Sequence, residues 1–239
     1  MLILPLREKQ AAGFLSGNAL KILAAIAMLI DHVGFLFFPQ IIMLRIIGRL
    51  AYPVFAFMIA EGCRYTRNRL HYFLSVFVLG VICQVVYTIA GDGGRMNILI
   101  TFSLSIVLIC LLQNARELDG IHWTLLFLAS IGAAYLLQDF IWVDYGFWGI
   151  MTPVMASVFQ FRRDSRFAFL DRHAVHVGML SIGLLMLAYS LGDIQIYALL
   201  AVPILLLYSG KRGKWKLKYF FYLFYPLHLA LLQIIAWLL

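Results

Sequence analysis

Nine apolar runs dominate this chain, and most are long enough to cross a lipid bilayer. They cover about 19–38, 44–62, 70–90, 97–113, 121–137, 146–161, 174–191, 194–208 and 218–238. A spanning helix needs about 20 apolar residues, and within lipid only helices or closed barrels satisfy their own backbone. Composition agrees: 64% of the 239 residues are hydrophobic and 13% are charged, against roughly 45–50% and about 25% in soluble domains. The expected fold is therefore an all-α, polytopic transmembrane helix bundle of about nine spans. A soluble enzyme, a disordered chain and a disulfide-stapled secreted module are excluded. Residues 1–17 read as a short N-terminal interfacial segment broken by Gly13 and Gly17, and 18–239 as a single transmembrane helical domain.

The basic residues decide the topology. All 19 fall in alternate connections except Arg45, Arg49 and Arg95. One set comprises Arg7, Lys9 and Lys21; Arg64, Arg67 and Arg69; Arg116; Arg162, Arg163, Arg166 and Arg172; and Lys211 to Lys218. Basic connections stay cytoplasmic, so the expectation is N-terminus inside and C-terminus outside. The net charge of +8 is thus a topology signal and not a nucleic-acid footprint. The first run is preceded by basic residues as in a signal peptide. It is longer than such a core, contains Asp31 and His32, and reads as a retained helix. Cys63, Cys83 and Cys110 sit inside apolar stretches with neither metal nor disulfide spacing.

Ionisable side chains within spans are costly and mark candidate sites. Here they are Asp31 and His32 in the first run, Arg45, Arg49 and Glu61 in the second, and His228 in the ninth. Asp31 lies roughly 10 Å from the outer end of its helix at about 1.5 Å per residue. Arg45 and Arg49 share a helix face at i,i+4, across a short turn at Pro39–Met43. Asp31 should therefore meet one of these arginines. Gln84 and Asn97 lie toward the same outer half, and Pro226 near His228 can bend the last helix.

Each of these residues also has a plainer reading. Asp31 with Arg49 reads equally as an ion pair joining two helices. His32 and His228 read as hydrogen-bonded packing residues. Glu61 and Arg64 mark a helix end. The aromatic groups at 35–38 and 220–222 fit lipid-facing belts better than a cofactor site. No P-loop, dinucleotide fingerprint, His-Glu-x-x-His or Gly-x-Ser-x-Gly occurs.

These same polar segments resemble the TraX family of bacterial inner-membrane proteins. The resemblance rests on Leu20-Lys21-Ile22, Met28-Leu29-Ile30-Asp31-His32, and the stretch Leu44-Arg45-Ile46-Ile47-Gly48-Arg49-Leu50-Ala51-Tyr52-Pro53-Val54-Phe55-Ala56-Phe57. It continues through Gln84 and Tyr87, Asn97-Ile98-Leu99, Asp144-Tyr145-Gly146, and Phe224-Tyr225-Pro226-Leu227-His228-Leu229. Between these pieces, above all in 100–140 and 160–215, the likeness is one of hydropathy. The family is associated with N-terminal acetylation of pilin, and resembles wider transmembrane acyltransferases with a histidine in the first core helix. The resemblance implies a multi-pass protein of the bacterial inner membrane that uses acetyl-CoA as donor, without a metal. The acceptor would be a pilin or other peptide or amine.

On this reading His32 is the general base, since imidazole titrates near neutral pH, with Asp31 and His228 as the other catalytic candidates. Arg45, Arg49, Gln84, Asn97 and Tyr225 are candidates for substrate or oxyanion contacts, and Glu61, Arg64 and Arg67 for the donor. Two other readings remain open: a small-solute or proton-coupled transporter using Asp31, His32 and Arg49, and a non-catalytic assembly factor for surface appendages.

Overall fold

A computed structural model describes residues 13–89, 94–117, 121–161, 165–215 and 217–238. Most of the expected interfacial segment, and the topology markers Arg7, Lys9, Arg162, Arg163 and Lys216, lie outside the described residues. Apart from two isolated bridges, the regular structure among the described residues is helical. Its α-helices are α1 (Gly17–Phe37), α2 (Ile42–Gly48), α3 (Ala51–Tyr65), α4 (Arg69–Ile89) and α5 (Ile98–Glu117). They continue as α6 (Ile121–Ile141), α7 (Gly146–Ser157), α8 (His173–Leu191), α9 (Ala201–Leu206) and α10 (Lys218–Leu238).

Seven stretches are long and apolar enough to cross a membrane: Gly17–Phe37, Ile42–Tyr65, Arg69–Ile89, Ile98–Arg116, Ile121–Gln138, His173–Leu191 and Phe220–Leu238. The run at 44–62 is broken between α2 and α3. Pro53 explains the break, because it has no N–H to give the Arg49 carbonyl four residues back. The remaining two runs of the nine are short. Helix α7 has 12 residues, about 18 Å of rise. The run at 194–208 forms a 3₁₀ helix, Asp193–Leu200, followed by α9. The longer 3₁₀ rise stretches this pair to about 25 Å.

Contacts at the ends show where these short segments lead. Leu15 pairs with Leu207–Ser209, its N–H bonding Leu207 O at 2.9 Å. That contact joins the foot of α1 to the end of the 3₁₀–α9 segment. At the opposite end Met96 pairs with Trp142 and Asp144, at 3.0 and 2.9 Å. Arg116, at the far end of α5, reaches back to the carbonyls of Ser157, Val158 and Gln160. Helix α7 and the 3₁₀–α9 segment therefore each run between a basic end and the opposite end.

Helix α3 forms the middle of the bundle, packing on α1, α5, α7, α8 and α9. Buried Ala51 on one side of it and Ala56 and Ala60 on the other let backbones approach closely, as in membrane helix packing generally. Phe57, Ile106, Ile109, Ile150, Leu180, Leu184, Leu187 and Leu205 are fully buried around it. Ser105 Oγ donates to Ile150 O at 2.8 Å and Thr101 Oγ1 to Asp144 O at 3.0 Å, tying α5 to α7. Helix α6 lies at the edge, with Leu125, Leu128 and Leu136 exposed, as expected of a face turned to lipid.

At the basic end Arg64 Nη2 donates to Asp171 Oδ2 at 2.9 Å. His176 Nε2 stands 3.1 Å from Asp171 Oδ1 and 3.3 Å from Phe159 O. Burial pushes the Asp171 carboxyl up, but the hydrogen bond from His176 and the Arg64 charge outweigh it and hold the carboxyl below its ordinary value. The network joins α3 to the connection before α8. Its stabilisation is present above the unfolded carboxylate pKa of about 3.9 and is lost as pH falls through the lower folded value. Asp171→Asn should cost about 3–5 kcal/mol, because Arg64 keeps a buried charge without its partner. Thermal denaturation in detergent reads this, and wild type should lose its advantage over the variant in acid.

Candidate active site

The ion-pair expectation for the first two helices is met by both arginines at once. Arg49 Nη2 donates to Asp31 Oδ1 and Oδ2 at 2.8 and 2.9 Å. Arg45 Nη1 lies 2.9 Å from Oδ2 and also bonds the Asp31 carbonyl at 3.1 Å. The close approach depends on Gly48, where a Cβ would fall 2.1 Å from Asp31 Oδ1. The remaining Arg49 donors are also engaged, Nε with Arg45 O at 3.3 Å and Nη1 with the Tyr145 hydroxyl at 3.4 Å.

His32 faces elsewhere, because neighbouring residues on a helix point about 100° apart at 3.6 residues per turn. Its Nδ1 lies 3.2 Å from His228 Nε2, and the rings are 5.1 Å apart. The two candidate bases therefore form a pair. His228 Nδ1 is 2.8 Å from Phe224 O. A carbonyl only accepts, so His228 Nδ1 carries its proton. With both imidazoles neutral, His228 Nε2 then accepts from His32 Nδ1–H, and His32 Nε2 keeps its lone pair. The relay runs from Phe224 O through His228 to a basic nitrogen on His32. Phe224 stacks on His228 at 4.8 Å and Tyr225 meets it edge-on at 5.7 Å, fixing the ring.

A cavity of about 920 Å³ has His32 of this pair in its wall. It extends from Asn18, Lys21, Glu61, His71 and Arg212 to Asp31, His32, Tyr87, Asp144, Tyr145 and Tyr225, past Phe55, Met58 and Leu79. Lys21 and His32 are about three helical turns apart, so they share a wall about 16 Å long. Lys21 and Arg212 are close enough to repel each other. No carboxylate among the described residues forms an ion pair with either.

Tyr145 anchors the opposite end. It stacks on Tyr52 at 4.4 Å and has a left-handed backbone, φ 62, a strained conformation for a non-glycine residue. Asp144 is held by its backbone, N–H to Met96 O and carbonyl to Thr101 Oγ1, and its carboxyl, which accepts from the Tyr145 backbone N–H, belongs to the cavity wall. Burial pushes that carboxyl up to about 6, against the pull of Arg49 and Arg95.

The other expected residues divide. Glu61 and Tyr225 line the cavity. Arg64 is turned to Asp171, and Arg67 is exposed; neither is among the lining residues. Gln84 and Asn97 join α4 to α5: Asn97 N and Nδ2 bond Gln84 Oε1 at 2.8 and 2.9 Å, and Asn97 Oδ1 accepts from Leu99 N at 3.0 Å. Sequence reasoning passed over Lys21 and Arg212 as site residues. Lys21 carried a legible signal, its three-turn spacing from His32, whereas Arg212 did not. Among the described residues no three His, Cys, Asp or Glu side chains gather as a metal site.

The family model described as TraX protein matches residues 16–236. A probable fimbrial assembly protein, FimC of serogroup H1, from Dichelobacter nodosus is 31% identical over 248 residues, covering 91% of this chain and 94% of the relative. An uncharacterized protein of Rickettsia prowazekii (strain Madrid E) is 32% identical over 140 residues, covering 52% of this chain and 54% of its own. No solved structure matches the chain.

The Asp31 clamp yields a direct test. Gly48→Ala should force Asp31 away from Arg49 and destabilise the protein by about 1–3 kcal/mol, the usual cost of overpacking. Ala at the equally helical but open Gly178 should be tolerated. The melting temperatures of the two variants in one detergent make the comparison.

Proposed function

Since the chain belongs to the TraX family, we propose that it is a membrane-embedded acetyltransferase that moves an acetyl group from cytoplasmic acetyl-CoA to an amine acceptor. The observation that carries this reading is the His32–His228 relay, whose His32 lines a long cavity of unequal polarity. His32 is the general base and His228 holds it in the required tautomer. The acceptor nitrogen bonds to the acetyl carbon, its proton passes to His32 Nε2, and the C–S bond breaks to release the CoA thiolate, which recovers a proton. The donor fits the basic end: Lys21, Arg212 and His71 offer positive or hydrogen-bonding groups to its phosphates. The apolar wall beyond them suits a thin pantetheine arm.

The fimbrial assembly name of the Dichelobacter nodosus relative favours a pilin-like acceptor. A released pilin N-terminus lies outside the cytoplasmic membrane, so donor and acceptor reach the relay from opposite ends. This arrangement requires the basic end inside, and with α7 and the 3₁₀–α9 segment crossing, nine spans with the C-terminus outside. A transporter built on Asp31, His32 and Arg49 is less well supported, because Asp31 and Arg49 spend their polar atoms on each other.

His32→Ala should lower kcat about 10²–10⁴-fold, the range of general-base contributions, while acetyl-CoA still stabilises the protein thermally. Lys21→Gln should instead raise KM for acetyl-CoA and leave kcat nearly unchanged. Near-normal turnover of His32→Ala would remove its assigned role. The topology has its own test: a reporter fused after Leu239 should behave as extracytoplasmic.

A further inference from the structure

The cavity has a second polar feature that acyl transfer from the basic end does not use. Asp31 is neutralised by two arginines, but Asp144, at the same end of the same cavity, is not. Among the described residues no cation lies within ion-pair distance of its carboxyl. The charged groups that influence it are Arg49 and Arg95 on one side and Asp31 on the other. Arg49 has its donors on Asp31, Tyr145 and a backbone carbonyl. Around Asp144 the cavity wall is aromatic: Tyr87, Tyr145 and Tyr225 line it, and Tyr225 bonds Tyr87 and stands within electrostatic range of Asp144.

A carboxylate held on its backbone among electron-rich rings is the chemistry of an ammonium site. The carboxylate supplies the charge and the ring faces supply the cation–π attraction. A hydroxyl acceptor would gain only one neutral hydrogen bond there. We infer that Asp144, with Tyr87, Tyr145 and Tyr225, forms the subsite that captures the acceptor as a primary ammonium group and selects amines over hydroxyl acceptors. This rests on the acetyltransferase reading for its consequence, but the binding step stands by itself. Asp144 is a binding residue here: the captured ammonium first gives one proton to water to become the nucleophilic amine, and His32 takes the second as the nitrogen–acetyl bond forms.

The test uses the full chain in proteoliposomes at pH 7, where a peptide α-amine is mostly charged. Two probes are compared: a short apolar peptide with a free N-terminal amine, and the same peptide with a hydroxyl in place of that amine. Wild type should bind the amine probe at least about tenfold more tightly than the hydroxyl probe, and Asp144→Asn should abolish that preference, as expected for a hydrogen bond to a charged group. In turnover with acetyl-CoA, Asp144→Asn should raise KM for the amine probe by a similar factor and leave donor affinity unchanged. Equal binding of the two probes by wild type would overturn the subsite, whether or not the variant folds. An unchanged preference in a folded Asp144→Asn variant would also overturn it. If the amine probe binds through Asp144 but is never acetylated, the subsite stands and the acetyltransferase reading fails.

Discussion

The Asp31 clamp is the interaction on which the rest of the site depends. A carboxylate this far inside an apolar bundle persists only with its charge matched and its lone pairs filled. Arg45 and Arg49 do both, and Gly48 leaves the space that lets them. Fixing Asp31 toward α2 also fixes the rotation of α1. His32, the next residue, is thereby turned toward α10, where His228 receives it. Arg49 carries the same constraint onward to Tyr145 and the start of α7. One ion pair thus sets the mutual orientation of the first, second, seventh and last helices around the cavity.

The cavity reads as an electrical gradient. Among the described residues, Lys21 and Arg212, neither in an ion pair, stand at one end beside Glu61, Asp144 stands without an ion-pair partner at the other, and an apolar stretch lies between. The relay sits near the acidic end, so a long anionic donor must thread the apolar part to present its reactive end there.

Much of this was legible from residues alone, and the physical reason differs case by case. The spans follow from hydropathy because lipid tolerates little else. The meeting of Asp31 with the arginines follows from depth, helical spacing and a short turn, which are local quantities. Gln84 and Asn97 illustrate the limit of that reasoning. Their depth resembles that of the site, yet their polar groups bond one another, Gly80 O and the Arg95 backbone, closing the α4–α5 connection. Depth along a helix is readable from sequence, whereas the direction a side chain faces among several neighbours is not. The same limit applies to Arg64, whose partner Asp171 lies 107 residues away.

The sequence by itself determined the class of protein, the alternation of basic connections, and the small set of polar residues that an apolar bundle must accommodate. Each follows from the solvent the chain folds in and from spacing along one helix. Tertiary structure alone decided that His32 and His228, 196 residues apart, are partners and not rivals. It also decided that Lys21 and Arg212 share a cavity end and that no described cation comes within ion-pair distance of Asp144. Those facts depend on which helices become neighbours and how each is rotated, and in this chain the rotation is set by close contacts such as Gly48 on Asp31, which no local pattern encodes.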